Sequence, residues 1–115
     1  MEKAGSNFMN GVPELLVLHC LRDREMYGYE LAQEIKGRTD AVVTLGEGVL
    51  YPVLHALERK GALSSRRKAV QGRSRVYYAL TPKGEKRLDG LTDTWTTLAG
   101  AIGRVMQGEA HAGAV

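Results

Sequence analysis

A single cysteine, Cys20, stands in the 115 residues. It excludes an intrachain disulfide and fits a cytoplasmic protein. No apolar run approaches the roughly 18 residues that a membrane span needs, so no membrane partner is expected. The opening MEKAGSNFMNGVPELL has no basic segment followed by a long apolar core, and no secretory signal is expected there. Catalytic patterns are equally scarce. Of the three histidines, His19, His55 and His111, none has a serine, cysteine or paired carboxylate in a triad pattern. Gly46-Glu47-Gly48 lacks the rest of any phosphate-binding loop, and no CxxC or HxxxH spacing offers a zinc site. Neither an enzyme nor a metal or other cofactor is expected. There is no internal repeat.

What is present is an uneven distribution of charge. The net charge is +3, yet residues 1–58 balance to −4, residues 59–87 to +9 and residues 88–115 to −2. Ten lysines and arginines against one acid in RKGALSSRRKAVQGRSRVYYALTPKGEKR point to a polyanionic partner, the alternative being a solvated face.

Periodicity divides the chain. Residues 1–11 read as a loose arm. A first helix begins near Pro13, with Glu14 beside the positive end of its dipole, and Leu15, Leu16, Leu18, Cys20 and Leu21 make it broadly apolar and central. His19 and Cys20 are adjacent and do not share a helix face, so Cys20 reads as a buried thiol rather than a ligand. A second helix starts at Gly28, repeats Leu31, Ala32 and Ile35, and ends at Gly37. AVVTLGEG reads as a short extended link. The third helix is expected from about Gly48 to Lys60, with Gly61 capping its C-terminus. Stretches 63–67 and 75–80 flank a polar turn; Val76, Tyr78 and Leu80 alternate with Arg75, Tyr77 and Ala79, as in a hairpin strand. Thr81-Pro82 is an N-cap and first-turn pair for a fourth helix. There Leu88, Leu91, Trp95, Leu98, Ile102 and Val105 are spaced as a coiled-coil seam. A lone helix cannot bury such a stripe, which favours the same helix of a second copy, the alternative being packing against its own domain. Residues 108–115 read as a disordered tail.

Three helices, a basic hairpin and a long helix are the order of a winged helix-turn-helix, mainly α with a two-stranded β-wing. Residues 12–81 would form the DNA-binding domain and 82–107 a dimerisation helix. In that fold the third helix enters the major groove. With Leu50 and Leu54 inward, helical projection turns Gly48, Pro52, His55 and Arg59 outward, flanked by Val49 and Tyr51. Gly48 and Pro52 permit close approach; Tyr51 and His55 reach phosphates or base edges; Val49 or Pro52 meets a thymine methyl; Arg59 suits a phosphate. The alternative for Tyr51 is core packing, and for His55 simple exposure. In the hairpin, Arg66, Arg67, Lys68, Arg73 and Arg75 are the expected phosphate or minor-groove contacts, which position a protein without carrying a base code.

YGYEL at 27–31, GVLYPVLHALERKGAL at 48–63 and GRSRVYYALTPKG at 72–84 resemble the PadR-like transcriptional regulators over residues 12–90. The resemblance implies a bacterial winged-helix homodimer on a palindromic operator in double-stranded DNA, usually a repressor, often responding to small aromatic or drug-like effectors. Two features depart from the usual pattern. Gly46-Glu47-Gly48-Val49 replaces Ser-Pro-Gly-Thr, removing a usual cap and a DNA contact and setting an acid near the backbone. The C-terminal part is one helix, as in compact members. In some of these a tryptophan in this helix stacks on planar ligands between subunits, which implies an effector role for Trp95; the alternative is that Trp95 fills the seam. A rival function is a winged-helix protein-interaction module without DNA binding, favoured by Glu47 and disfavoured by the wing's charge.

Overall fold

Four helices and three strands make up the computed structural model, which describes residues 10–108: α1 Val12–Asp23, β1 Met26–Tyr27, α2 Gly28–Arg38, α3 Glu47–Arg59, β2 Leu63–Val70, β3 Arg73–Leu80 and α4 Pro82–Gln107. The expected arm and tail fall outside the described residues except for residues 10 and 11 and Gly108, which caps α4 with φ +77°. The architecture is a winged helix-turn-helix with a long C-terminal helix.

Local chemistry accounts for most element ends. Beyond α3, Gly61 takes φ +80°; its N–H donates to the Glu58 carbonyl (3.0 Å) and that of Ala62 to the Leu57 carbonyl (2.9 Å). This is a Schellman cap, which needs the left-handed conformation that glycine adopts freely. The ladder between β2 and β3 is longer than the alternating residues alone indicate. Gln71 (φ 52°) and Gly72 (φ 78°) form a two-residue turn with both centres left-handed, whose twist matches the flanking strands, so pairing continues to Val70↔Arg73. The Thr81 hydroxyl accepts from the Gly84 N–H (3.0 Å), capping α4 as its Thr-Pro start indicates.

Elsewhere the structure departs from the sequence reading. Gly37 does not end α2. The helix runs on to Arg38, where the Thr39 hydroxyl donates to the Ile35 carbonyl (2.9 Å) and accepts from the Val43 N–H (3.1 Å). The left-handed residues are Asp40 and Ala41, so the segment expected to be extended begins as a turn. α3 starts one residue early, at Glu47, with Gly46 as a cap that has no side chain to contribute. β1 is a third strand that two residues cannot announce; it pairs Met26 with Tyr78 and Tyr27 with Tyr77.

The core lies where α1, α2 and α3 meet. Val17 and Leu18 of α1, Leu31 and Ile35 of α2, and Leu50, Leu54 and Leu57 of α3 are buried with Met26 and Leu88. Cys20 is buried among them, and burial pushes its thiol pKa up. α1 is also bound to α4 by polar links: Glu14 to Arg87, Arg22 to Asp89 (2.9 Å), and His19 Nε2 to the Thr92 hydroxyl (2.9 Å). Burial, then the neighbouring Arg22 and Arg38 charges, lowers the His19 pKa.

The seam on α4 is divided. Leu88 has no exposed surface and Leu91 is half-buried against the body, whereas Trp95, Leu98, Ile102 and Val105 are 50%, 54%, 49% and 72% exposed. The expectation that Leu88 serves a partner is corrected: it completes its own subunit's core, because the first turns of α4 lie against α1. The rest projects. The Cα radius of gyration is 17.0 Å, against roughly 13 Å for a compact chain of this length. No helix among the described residues is long and apolar enough to cross a membrane.

Candidate nucleic-acid interface

Leu50, Leu54 and Leu57 anchor one face of α3 in the core, and this decides what the opposite face presents. Gly48, Val49, Pro52, His55 and Arg59 are all exposed there. Pro52 has no N–H for the Gly48 carbonyl four residues back, but Gly48 is exposed and water can satisfy that oxygen. The helix can therefore keep a proline on its outer face in the second turn.

Tyr51 differs from its neighbours. It is half-buried and packs against the core, with its ring over Gly28; a Cβ on Gly28 would fall 2.3 Å from the Tyr51 hydroxyl oxygen. The expected outward role is corrected to this extent: most of Tyr51 is held by the start of α2, and its ring lies 6.1 Å from that of His55, the more exposed of the two. Gly28 is thus required by a close approach, and not only as the start of a helix.

The wing lies beside α3. A cleft of about 370 Å³ between them is lined by Tyr51, His55, Arg67, Ser74, Val76 and Tyr78, among others. Alternation along the strands separates the five wing cations. Arg67 is on the cleft side, where its guanidinium approaches the Ser74 hydroxyl (3.4 Å). Arg73 is exposed beside the Gln71-Gly72 turn and has no ion-pair partner among the described residues; the same holds for Arg59 on α3.

The other cations are engaged within the molecule. Arg66 donates through Nε (3.2 Å) and Nη2 (2.9 Å) to the two oxygens of Glu25, a bidentate pair. Lys68 Nζ donates to the same carboxylate at 2.6 Å and lies 4.3 Å from the centre of the Tyr77 ring. Tyr77 meets Tyr27 edge to face at 5.4 Å, and the Arg75 guanidinium lies 4.2 Å from the centre of the Tyr27 ring. Hydrogen bonds from Arg66, then from Lys68, lower the Glu25 pKa to about 2, and the Glu25 bond raises that of Arg66. The stabilisation from this group is complete above the ordinary carboxylate pKa and is lost as pH falls toward 2. Glu25 had no signal in the sequence, since it lies 41 residues from Arg66 and outside every motif.

The surface therefore combines an exposed helix face, a cleft that Arg67 lines and an exposed Arg73 at the tip of the wing, with no cluster of metal-ligating side chains among the described residues. Comparison with known proteins agrees with this architecture. Residues 17–90 match the transcriptional regulator PadR-like family. The chain is 35% identical over 104 residues to the transcriptional regulator Rv3488 of Mycobacterium tuberculosis, covering 90% of this chain and 92% of that one. Among solved structures, it is similar to a Streptococcus mutans protein (37% identity, TM-score 0.76, 84% of this chain and 88% of that one). A PadR-like transcriptional regulator of Bacillus cereus is also similar (29% identity, TM-score 0.78, 90% and 99%). The chain thus belongs to the PadR-like family and is a transcriptional regulator rather than an enzyme.

Proposed function

We propose that this regulator is a cytoplasmic homodimer that binds a palindromic operator in double-stranded DNA and represses transcription until a small, planar aromatic effector releases it. The observation that carries the DNA reading is the exposed α3 face, Gly48, Val49, Pro52, His55 and Arg59, beside a wing whose Arg67 and Arg73 are free for phosphate. Two such faces, related by a twofold axis and one helical turn apart, about 34 Å, would meet successive major grooves. Residues 12–81, with the first turns of α4, form the reading unit, and the projecting part of α4 forms the dimer contact.

The deciding experiment is a titration with duplex DNA at two salt concentrations. With three free cations per subunit, six per dimer, the affinity is expected to fall about 10³-fold between about 50 and 200 mM salt. Arg67→Ala and Arg73→Ala should each make the slope of log K against log salt shallower by about 0.9 per engaged subunit. Negligible affinity for every duplex at low salt, or affinity that salt does not change, would leave the protein-interaction module as the better account. Glu47, exposed at the start of α3, is the feature that favours that second reading.

The effector reading rests on Trp95, which is half exposed at the end of the projecting stripe nearest the body and would face the partner helix across a dimer. A planar aromatic compound stacked there is expected to quench the fluorescence of the chain's one tryptophan and to weaken operator binding. A panel of planar aromatics that leaves both signals unchanged would remove the effector from the proposal and leave Trp95 as a packing residue.

A further inference from the structure

Five cations in one hairpin read alike in the sequence, but the fold treats them differently. Glu25, between α1 and β1, accepts three hydrogen bonds from Arg66 and Lys68, and its side chain keeps only a quarter of its surface exposed. The register pairs Arg66 with Tyr77 and Lys68 with Arg75, so both donors lie mid-ladder on the face that carries Tyr77. Arg67, between them in sequence, points to the opposite face, toward the cleft with α3. Arg73, paired with Val70 at the tip, shares the face of Arg66 and Lys68 but lies further along the ladder and makes no ion pair with Glu25.

A carboxylate gripped by a guanidinium fork and an ammonium already occupies the positions a phosphate oxygen would take. A DNA phosphate approaching Arg66 or Lys68 must displace it and leave Glu25 near a second anion. Building on the DNA-binding reading above, we infer that Glu25 is a positioning residue that withholds Arg66 and Lys68 from nucleic acid, so that the wing engages phosphate through Arg67 and Arg73. Glu25 thereby serves two ends. It ties the hairpin to the corner before β1, which holds the wing's angle to α3, and it reduces the charge available for indiscriminate binding, which increases the relative weight of α3 in choosing a sequence.

The test compares salt slopes on a random-sequence duplex for the full chain. Arg66→Ala and Lys68→Ala are expected to leave the slope at its wild-type value, whereas Glu25→Ala should steepen it by about 0.9–1.8 per engaged subunit as one or two cations are released. Glu25→Ala should also elute from heparin at higher salt than Glu85→Ala, a control with the same charge change at an exposed acid that pairs with no cation among the described residues. A slope that becomes shallower in Arg66→Ala or Lys68→Ala as much as in Arg67→Ala overturns the inference. So does a Glu25→Ala protein that elutes with its control. Should the wild type bind no duplex, the proposed function fails, and the heparin comparison still decides whether Glu25 holds the two cations back. If Glu25→Ala does not fold, the Arg66 and Lys68 variants decide it.

Discussion

Replacing both Leu98 and Ile102 with glutamate is expected to produce a monomer and to lower operator affinity by about 10²–10⁴-fold, the range by which linking two binding modules exceeds one alone. The projecting part of α4 offers an apolar stripe, Trp95, Leu98, Ile102 and Val105, that the body does not cover. It also contains Gly100 and Gly103, each about 1 kcal/mol less favourable than alanine in a helix. Such a segment is a poor helix by itself, and burying the stripe against a second copy is the stabilisation that its composition calls for. Two glutamates on each helix would place four carboxylates in that contact with no cation facing them from the seam positions. Sedimentation gives the assembly state. A titration with an operator selected by the wild-type protein from a random pool gives the affinity. The salt slope should fall to about half, because one subunit's phosphate contacts remain. A variant that still sediments as a dimer would show that this stripe is not the interface.

The largest stability effect is expected at Gly84. The first turn of α4 presses so closely on the link between α3 and β2 that a Cβ there would lie 2.1 Å from the Ala62 carbonyl oxygen and 2.7 Å from Leu80 Cδ1. That oxygen cannot retreat without cost, since it accepts from the Thr81 N–H (3.1 Å) and the Thr81 hydroxyl (3.0 Å). Overpacking a core typically costs about 1–3 kcal/mol. Here the obstruction is backbone, so Gly84→Ala should reach the upper end of that range, a fall in Tm of roughly 10–20 °C for a domain of this size. Gly100 provides the contrast. It lies on the far side of α4 from the stripe, and the nearest atom to its Cβ would be Arg104 Nη1 at 3.7 Å, an ordinary contact. Gly100→Ala should raise stability by about 1 kcal/mol, through helix propensity. Both are measured by thermal melts at one protomer concentration, because association shifts Tm. Similar effects of the two substitutions would mean that the Gly84 contact is not close.

Much of the fold was legible in the sequence because its signals act over short distances. The Thr81-Pro82 start, the Gly61 cap, a polar turn between two strands of a hairpin and the inward setting of Leu50 and Leu54 each depend on residues close together in the chain, and each appears in the structure, the turn as the tighter Gln71-Gly72. The weak local readings failed where a neighbour in space overrode them. Gly37 looked like a helix end, but Thr39 closes α2 by bonding to Ile35 and Val43. Tyr51 projected outward on a helical wheel, yet the bare surface of Gly28 lets its ring lie down against α2.

The sequence by itself determined the order of the four helices and the hairpin, the outward set on α3 apart from Tyr51, the accumulation of positive charge in the hairpin and the existence of a stripe on α4, because capping, periodicity and charge are properties of contiguous residues. Only the tertiary structure decided how those features divide. It assigned Leu88 to the core and Trp95 to the surface of the same stripe, since the body of the domain ends partway along α4. It joined Glu25 to Arg66 and Lys68 while leaving Arg67 free, since strand pairing brings residues 41 apart within 3 Å and turns adjacent side chains to opposite faces.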